Sequence, residues 1–276
     1  MMEIIKAIVY GVLQGFFAWL PVSSVAHVRI APALFGWEDP GAAFSAVLQL
    51  GTTVAVIVYF FGDLSKMTSS VIQSVKEKDF KTRHDTRLSF YIVIGTIPIV
   101  ICGVLFQKMI KNQFRGMYII AIGLIVFGIL LYISEKVSKM SKKVDDIDLK
   151  DSIIIGIFQV LALIPGCSRS GSTITGGFFR QLDRESAARF SFLLGLPAFI
   201  LSGVFEIFKE RETLFAGGNM VSLVVGTIVS IVVGYLSVWF LLSYLKKHSI
   251  MIFVYYRVAL GLIIIVLLQL KFISNY

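Results

Sequence analysis

The chain has 276 residues, of which 57% are hydrophobic and 16% charged, and it carries a net charge of +9. Soluble domains run about 45–50% apolar and about 25% charged, so composition excludes an ordinary soluble enzyme, a disordered chain and a secreted disulfide scaffold. An all-α polytopic membrane protein remains, in which the excess of Lys and Arg marks the inner loops rather than a nucleic-acid surface.

In chain order, residues 4–20 are apolar but stop at Pro21, followed by the polar run Val22, Ser23 and Ser24. Glu3, a single Lys6 and Gln14 fit a cleaved signal peptide poorly. Stretches long enough to span a bilayer follow at about 42–62, 88–106 and 117–134, and later at 190–208, 220–245 and 251–270. Between these groups, residues 152–164 stop at Pro165 and Gly166, followed by Cys167, Ser168, Arg169, Ser170, Gly171, Ser172 and Thr173. At about 1.5 Å per residue neither short stretch crosses a core of roughly 30 Å. Short apolar segments broken by Pro and Gly suggest re-entrant helix–loop–helix hairpins, whose irregular backbone must be satisfied by protein or a watery cavity. The two cysteines, Cys102 and Cys167, form neither a disulfide framework nor a zinc spacing.

The two halves repeat. Gly11, Gln14, Pro21 and Ser24 match Gly156, Gln159, Pro165 and Ser168, the second copy being one residue shorter between Gln and Pro. Phe44, Ser45, Leu48, Gln49, Leu50 and Gly51 then match Phe190, Ser191, Leu194, Gly195, Leu196 and Pro197. Gly95, Thr96 and Gly103 match Gly226, Thr227 and Gly234, and Ala121, Gly123 and Leu124 match Ala259, Gly261 and Leu262. Each half, about 1–140 and about 150–276, is one broken hairpin plus three spans within a single membrane domain. Three is odd, so the second half is inverted. With both termini outside, the segments 63–87, 135–152, 180–189 and 246–250 are inner and hold sixteen Lys and Arg, against eight outside. The bias supports that orientation.

The chemistry concentrates after the two prolines. A helix starting near Ser168 would aim free N–H groups and the positive end of its dipole at an anion. Ser168, Ser170, Ser172 and Thr173 would add hydroxyls, and Arg169 a fork matched to phosphate oxygens. An arginine at membrane depth is expensive, about 2.5–3.5 kcal/mol on insertion scales, and so points to function. The competing reading is a capped helix end with Arg169 paired to a distant carboxylate. In the first copy, Ser24 and His27 fall on one helix face, as a nucleophile with its base or a phosphate contact with its acid. The plainer reading is that Ser23 or Ser24 caps the helix and His27 bonds a carbonyl. His84 and His248 lie in basic loops and read as solvated. Gln14, Gln49 and Gln159 are polar groups in apolar runs, as apt for interhelical bonding as for substrate. Arg257 reads as structural, snorkelling inward from the last span. Residues 135–151 read as a solvated loop.

The segments Gln14–His27 and Pro165–Thr173 resemble the two signature motifs of the undecaprenyl-diphosphatases, the bacitracin-resistance type of membrane phosphatase. The similarity extends through Phe44–Gly51 and Arg184–Leu194, nearly the whole chain. The resemblance implies two re-entrant hairpins, six spans and inverted repeats in a bacterial inner membrane. It also implies hydrolysis of undecaprenyl diphosphate to undecaprenyl phosphate and inorganic phosphate, which recycles the peptidoglycan lipid carrier. The family's first motif is Glu or Gln, three residues, then Glu. Gln14 satisfies its first position and Ala18 stands at the second, where that Glu is assigned metal binding or proton handling. Ser45 stands where many members carry Glu.

The sequence therefore predicts Ser24, His27 and Arg169 as catalytic residues, with Ser24 as nucleophile unless water attacks directly. Gln14, Ser168, Ser170 and Thr173 are expected on the substrate phosphates. Mg²⁺ or Ca²⁺ could bridge those phosphates, with no metal ligand assigned. The expected partners are a polyprenyl diphosphate lipid and the bilayer, with a homodimer left open. The alternatives are a polyprenyl-phosphate flippase or a catalytically weak lipid-phosphate-binding paralogue.

Overall fold

The computed structural model describes residues 2–37, 41–80, 82–107, 109, 116–212 and 220–275. Four of the counted cations, Lys81, Lys108, Lys111 and Arg115, lie outside them. The described residues form eleven α-helices and no sheet. They are α1 (Met2–Phe17), α2 (Ser24–Phe35), α3 (Gly41–Tyr59), α4 (Phe61–Glu77), α5 (His84–Leu105), α6 (Met117–Val137), α7 (Leu149–Val160), α8 (Arg169–Phe179), α9 (Arg184–Lys209), α10 (Met220–Leu245) and α11 (Met251–Gln269).

Five of these, α5, α6, α9, α10 and α11, are long and apolar enough to span a membrane. The sixth expected span, 42–62, is a different object. The helix breaks after Tyr59 and turns 75° into α4, which fills much of the segment 63–87 expected as a loop. The sequence reading missed α4 because its polar face (Lys66, Ser70, Gln73, Lys76) dilutes the apolar one. The two broken hairpins are as expected. In α1–α2 and α7–α8 each helix is at most 16 residues long, about 24 Å or less. Large side chains on the long helices, such as Val104 and Phe208, face outward where lipid covers them.

Helix packing follows the sequence repeat. α1 lies on α10, and its counterpart α7 lies on α5, the counterpart of α10. Likewise α3 packs on α10 while α9 packs on α5. The glycines matched in sequence are the contact points. A Cβ on Gly11 would strike the carbonyl of Gly226, and one on Gly156 the carbonyl of Gly95. Helices meeting backbone to backbone need that missing side chain.

The stretch 135–151 is mostly exposed, as expected of a solvated loop, but Glu135, Ile147 and Asp151 are buried and anchor it. Asp151 is fully buried and receives Lys142 Nζ at 2.8 Å and the Arg180 guanidinium. It also accepts the Asp148 N–H, while Asp148 accepts the Asp151 N–H at 2.7 Å, a reciprocal cap that starts α7. Glu135 is held by Arg184 and Ser249. The two buried carboxylates are thus paired, as buried charge must be.

Candidate active site

The two hairpin turns meet in the protein interior, where Ser170 Oγ donates to Leu20 O. Each recognition helix begins at a serine forced into the left-handed region, Ser23 at φ 70° and Ser168 at φ 66°. Such backbone costs about 1–3 kcal/mol and persists only where its surroundings over-determine it. The sequence match pairs Ser24 with Ser168, but the caps pair Ser23 with Ser168. The hairpins therefore differ by a residue after the proline as well as before it. Structurally, Ser24 and Arg169 are equivalent first residues of α2 and α8.

Arg257 ties the turns together. Its guanidinium donates to Pro21 O at 3.1 Å, Gly166 O at 3.1 Å, Cys167 O at 2.9 Å and Leu124 O at 3.3 Å. It is fully buried. The snorkelling route is therefore wrong, because the nearby carbonyls satisfy the fork more cheaply than a path to the surface.

Arg169 is buried between the rings of Trp19 and Phe199, whose centroids lie 4.4 and 4.0 Å from its guanidinium carbon. Its Nη1 donates to Ser191 O at 3.3 Å, while Nε and Nη2 have no partner. No carboxylate pairs with it among the described residues, so the competing reading of a distant ion pair is not what the fold builds. Two unmatched donors on a buried cation are costly unless an anion meets them. Three of the surrounding hydroxyls are spent on holding this arrangement, whereas Ser172 Oγ is buried without a partner. Thr173 bonds Ser191 Oγ at 2.5 Å and donates to Arg169 O at 2.9 Å. Ser170 donates to Leu20 O at 2.9 Å, joining the two hairpins, and Ser168 Oγ accepts the Gly171 N–H.

The first hairpin opens on a cavity of about 400 Å³. Gln14 lines it from α1, Ser24 and Arg29 from α2, Ser45 and Gln49 from α3, and Glu206 from α9, with Pro165 of the other turn closing one side. Arg29 and Glu206 were missed by the sequence reading. An acid within the otherwise apolar stretch 190–208 was the available signal for Glu206. His27 does not line this cavity. Its Nδ1 bonds Ser23 O at 2.8 Å, its Nε2 bonds Tyr256 Oη at 2.7 Å, and Phe17 stacks on it at 3.5 Å. Ser24 and His27 make no direct hydrogen bond. Ala18 is buried in the main apolar cluster beside Trp19 and Leu20.

The architecture and both turns lie within a stretch, residues 7–263, that matches the family described as bacitracin resistance protein BacA. The chain belongs to the BacA family. It is 48% identical over 277 residues to an undecaprenyl-diphosphatase of Chloroherpeton thalassium, covering 98% of both chains. An undecaprenyl-diphosphatase of Prosthecochloris aestuarii is 45% identical over 97% of this chain and 98% of its own. One from Myxococcus xanthus is 44% identical over 97% and 90%. The BacA match takes in Gln14, Ser24, His27 and the whole of 168–173.

As a metal site, the cavity is thin. No group of three His, Cys, Asp or Glu gathers among the described residues. One carboxylate (Glu206) and the amide oxygens of Gln14 and Gln49 are hard oxygen donors, and they fit Mg²⁺ or Ca²⁺ only when substrate phosphates and water complete the shell.

Proposed function

We propose that this protein hydrolyses undecaprenyl diphosphate to undecaprenyl phosphate and inorganic phosphate, recycling the lipid carrier and conferring bacitracin resistance. The observation that carries this reading is Arg169, a buried guanidinium with two unmatched donors; the cavity itself is lined by the hydroxyls of Ser24 and Ser45 and does not include Arg169. The diphosphate enters between the helices while the prenyl tail stays in lipid. Arg169 Nε and Nη2 and the N-terminal N–H groups of α8 hold the phosphate oxygens and stabilise charge that grows in the transition state. Trp19 and Phe199 exclude water from the guanidinium faces, which strengthens that interaction.

Ser24 Oγ attacks the terminal phosphorus, the bridging P–O bond breaks, and undecaprenyl phosphate leaves. Water then frees phosphate from the serine. His27 takes the serine proton once substrate has rearranged its present hydrogen bonds. Mg²⁺, when bound, would be held by Glu206, Gln14 and Gln49 and would neutralise phosphate charge. The location is the bacterial inner membrane.

Phosphate release from a C55 or C15 prenyl diphosphate by purified protein in detergent tests the reading. Wild type should release phosphate, and Arg169→Ala should lower kcat/KM about 10²–10³-fold. Wild-type activity no higher than the variant's would overturn the enzyme. A flippase is the second reading, favoured by inverted halves with short broken helices. It moves lipid across vesicles and releases no phosphate in detergent.

A further inference from the structure

We propose that Tyr256 is a positioning residue for His27: it holds the imidazole neutral, with Nε2 unprotonated, until bound substrate displaces the phenol from that lone pair. The hydrogen-bond partners of the two ring nitrogens fix the tautomer. Nδ1 lies 2.8 Å from Ser23 O, and a carbonyl only accepts, so Nδ1 carries a proton. In the neutral ring Nε2 then holds the lone pair, and the Tyr256 phenol, 2.7 Å away, donates into it. Phe17 stacks on the imidazole at 3.5 Å with an interplanar angle of 11°. The ring is thus fixed at both nitrogens and on one face.

The clamp also joins distant parts of the chain. Ser23 and His27 belong to the first hairpin, and Tyr256 to the last span. The adjacent residue Arg257 is bonded to Pro21 O at 3.1 Å, so consecutive residues of α11 engage the same turn and set its register. A phenol held this way serves His27 rather than lipid, although Tyr256 is partly exposed. Neither composition nor spacing marks it, since the pairing spans 229 residues.

This inference rests on His27 acting in the hydrolysis proposed above. Tyr256→Phe removes the hydroxyl alone and keeps the ring that stacks on His27 at 5.7 Å. It should lower kcat about tenfold or more with KM unchanged. In a His27→Gln background the same substitution should cost nothing further, because the two act as a unit. In protein labelled with ¹⁵N at histidine, wild-type His27 should show a protonated Nδ1 and an unprotonated, hydrogen-bonded Nε2. In Tyr256→Phe the Nε2 resonance should move while those of His84 and His248 stay.

Full kcat in Tyr256→Phe, equal losses in both backgrounds, or a protonated Nε2 in wild type would overturn the proposal. If Tyr256→Phe does not fold, fluorotyrosine at 256 strengthens the phenol as a donor, and unchanged kcat and Nε2 resonance would overturn it instead. If wild type releases no phosphate, the functional reading fails. The resonance measurement still decides whether Tyr256 sets the protonation of His27.

Discussion

The two hairpin turns share a backbone plan and divide the chemistry between them. In the second, Arg169 extends from the first position of its helix over Gly195, where any Cβ would collide with the guanidinium. In the first, the equivalent position is Ser24, and Gln49 is the sequence counterpart of Gly195. A large residue over a small one in one half corresponds to a small residue near a large one in the other. The consequence is visible in burial. Residues 169–178 are all buried, whereas Ser24 is half-buried, Val25 is exposed and Ser24 lines the cavity. One duplicated frame thus buries a guanidinium with unmatched donors on one side. On the other it presents a hydroxyl to an open cavity.

Substitutions can break that comparison in order of size. The largest effect is expected from Arg257→Met, which removes the cation common to both turns. Several buried carbonyls lose their donor, at about 1–3 kcal/mol each, so folded protein should fall sharply. Size-exclusion profile and thermal unfolding in detergent would show this, and a well-folded Arg257→Met protein would refute the clamp. Next, Gly195→Ala inserts a methyl group where the Arg169 guanidinium lies. Phosphate release should drop about 10²-fold, as for a misplaced positioning group, with the protein still folded. The matched change Gln49→Ala should be much milder, and equal losses would erase the proposed division.

The smallest effect separates the caps. Ser23→Gly relieves positive-φ backbone, and Ser23 makes no side-chain cap bond. It should therefore stabilise by up to about 1 kcal/mol. Ser168→Gly gains the same relief but loses the bond from the Gly171 N–H. It should be near neutral, because a Gly cap is only a few tenths of a kcal/mol worse than Ser. Thermal unfolding of the two variants side by side measures the difference.

Much of this was legible beforehand for definite reasons. Apolar run length gave the long spans, since a bilayer imposes a length on any helix that crosses it. Pro21 and Pro165 gave the breaks, because proline cannot donate within a helix and restricts the residue before it. The resemblance of Gln14–His27 and Pro165–Thr173 gave the family. The α3–α4 bend was not legible, because the apolar run continues through Phe60 and Phe61 while the backbone turns.

The sequence by itself therefore determined that the chain is a membrane-spanning helical repeat with an arginine-bearing motif at depth. Local composition and short spacing suffice for that, since each element must satisfy its own backbone in lipid. The tertiary structure alone decided which polar groups are spent and which remain. Arg257 is consumed by carbonyls from three segments, His27 by Ser23 and Tyr256, and Thr173 by Ser191. Arg169 keeps two donors unmatched. Along the chain Arg169 reads as functional and Arg257 as a snorkelling structural residue, but neither reading names the partners. The two arginines differ because hydrogen-bond satisfaction depends on neighbours that folding brings from elsewhere in the chain, up to 236 residues away for Arg257.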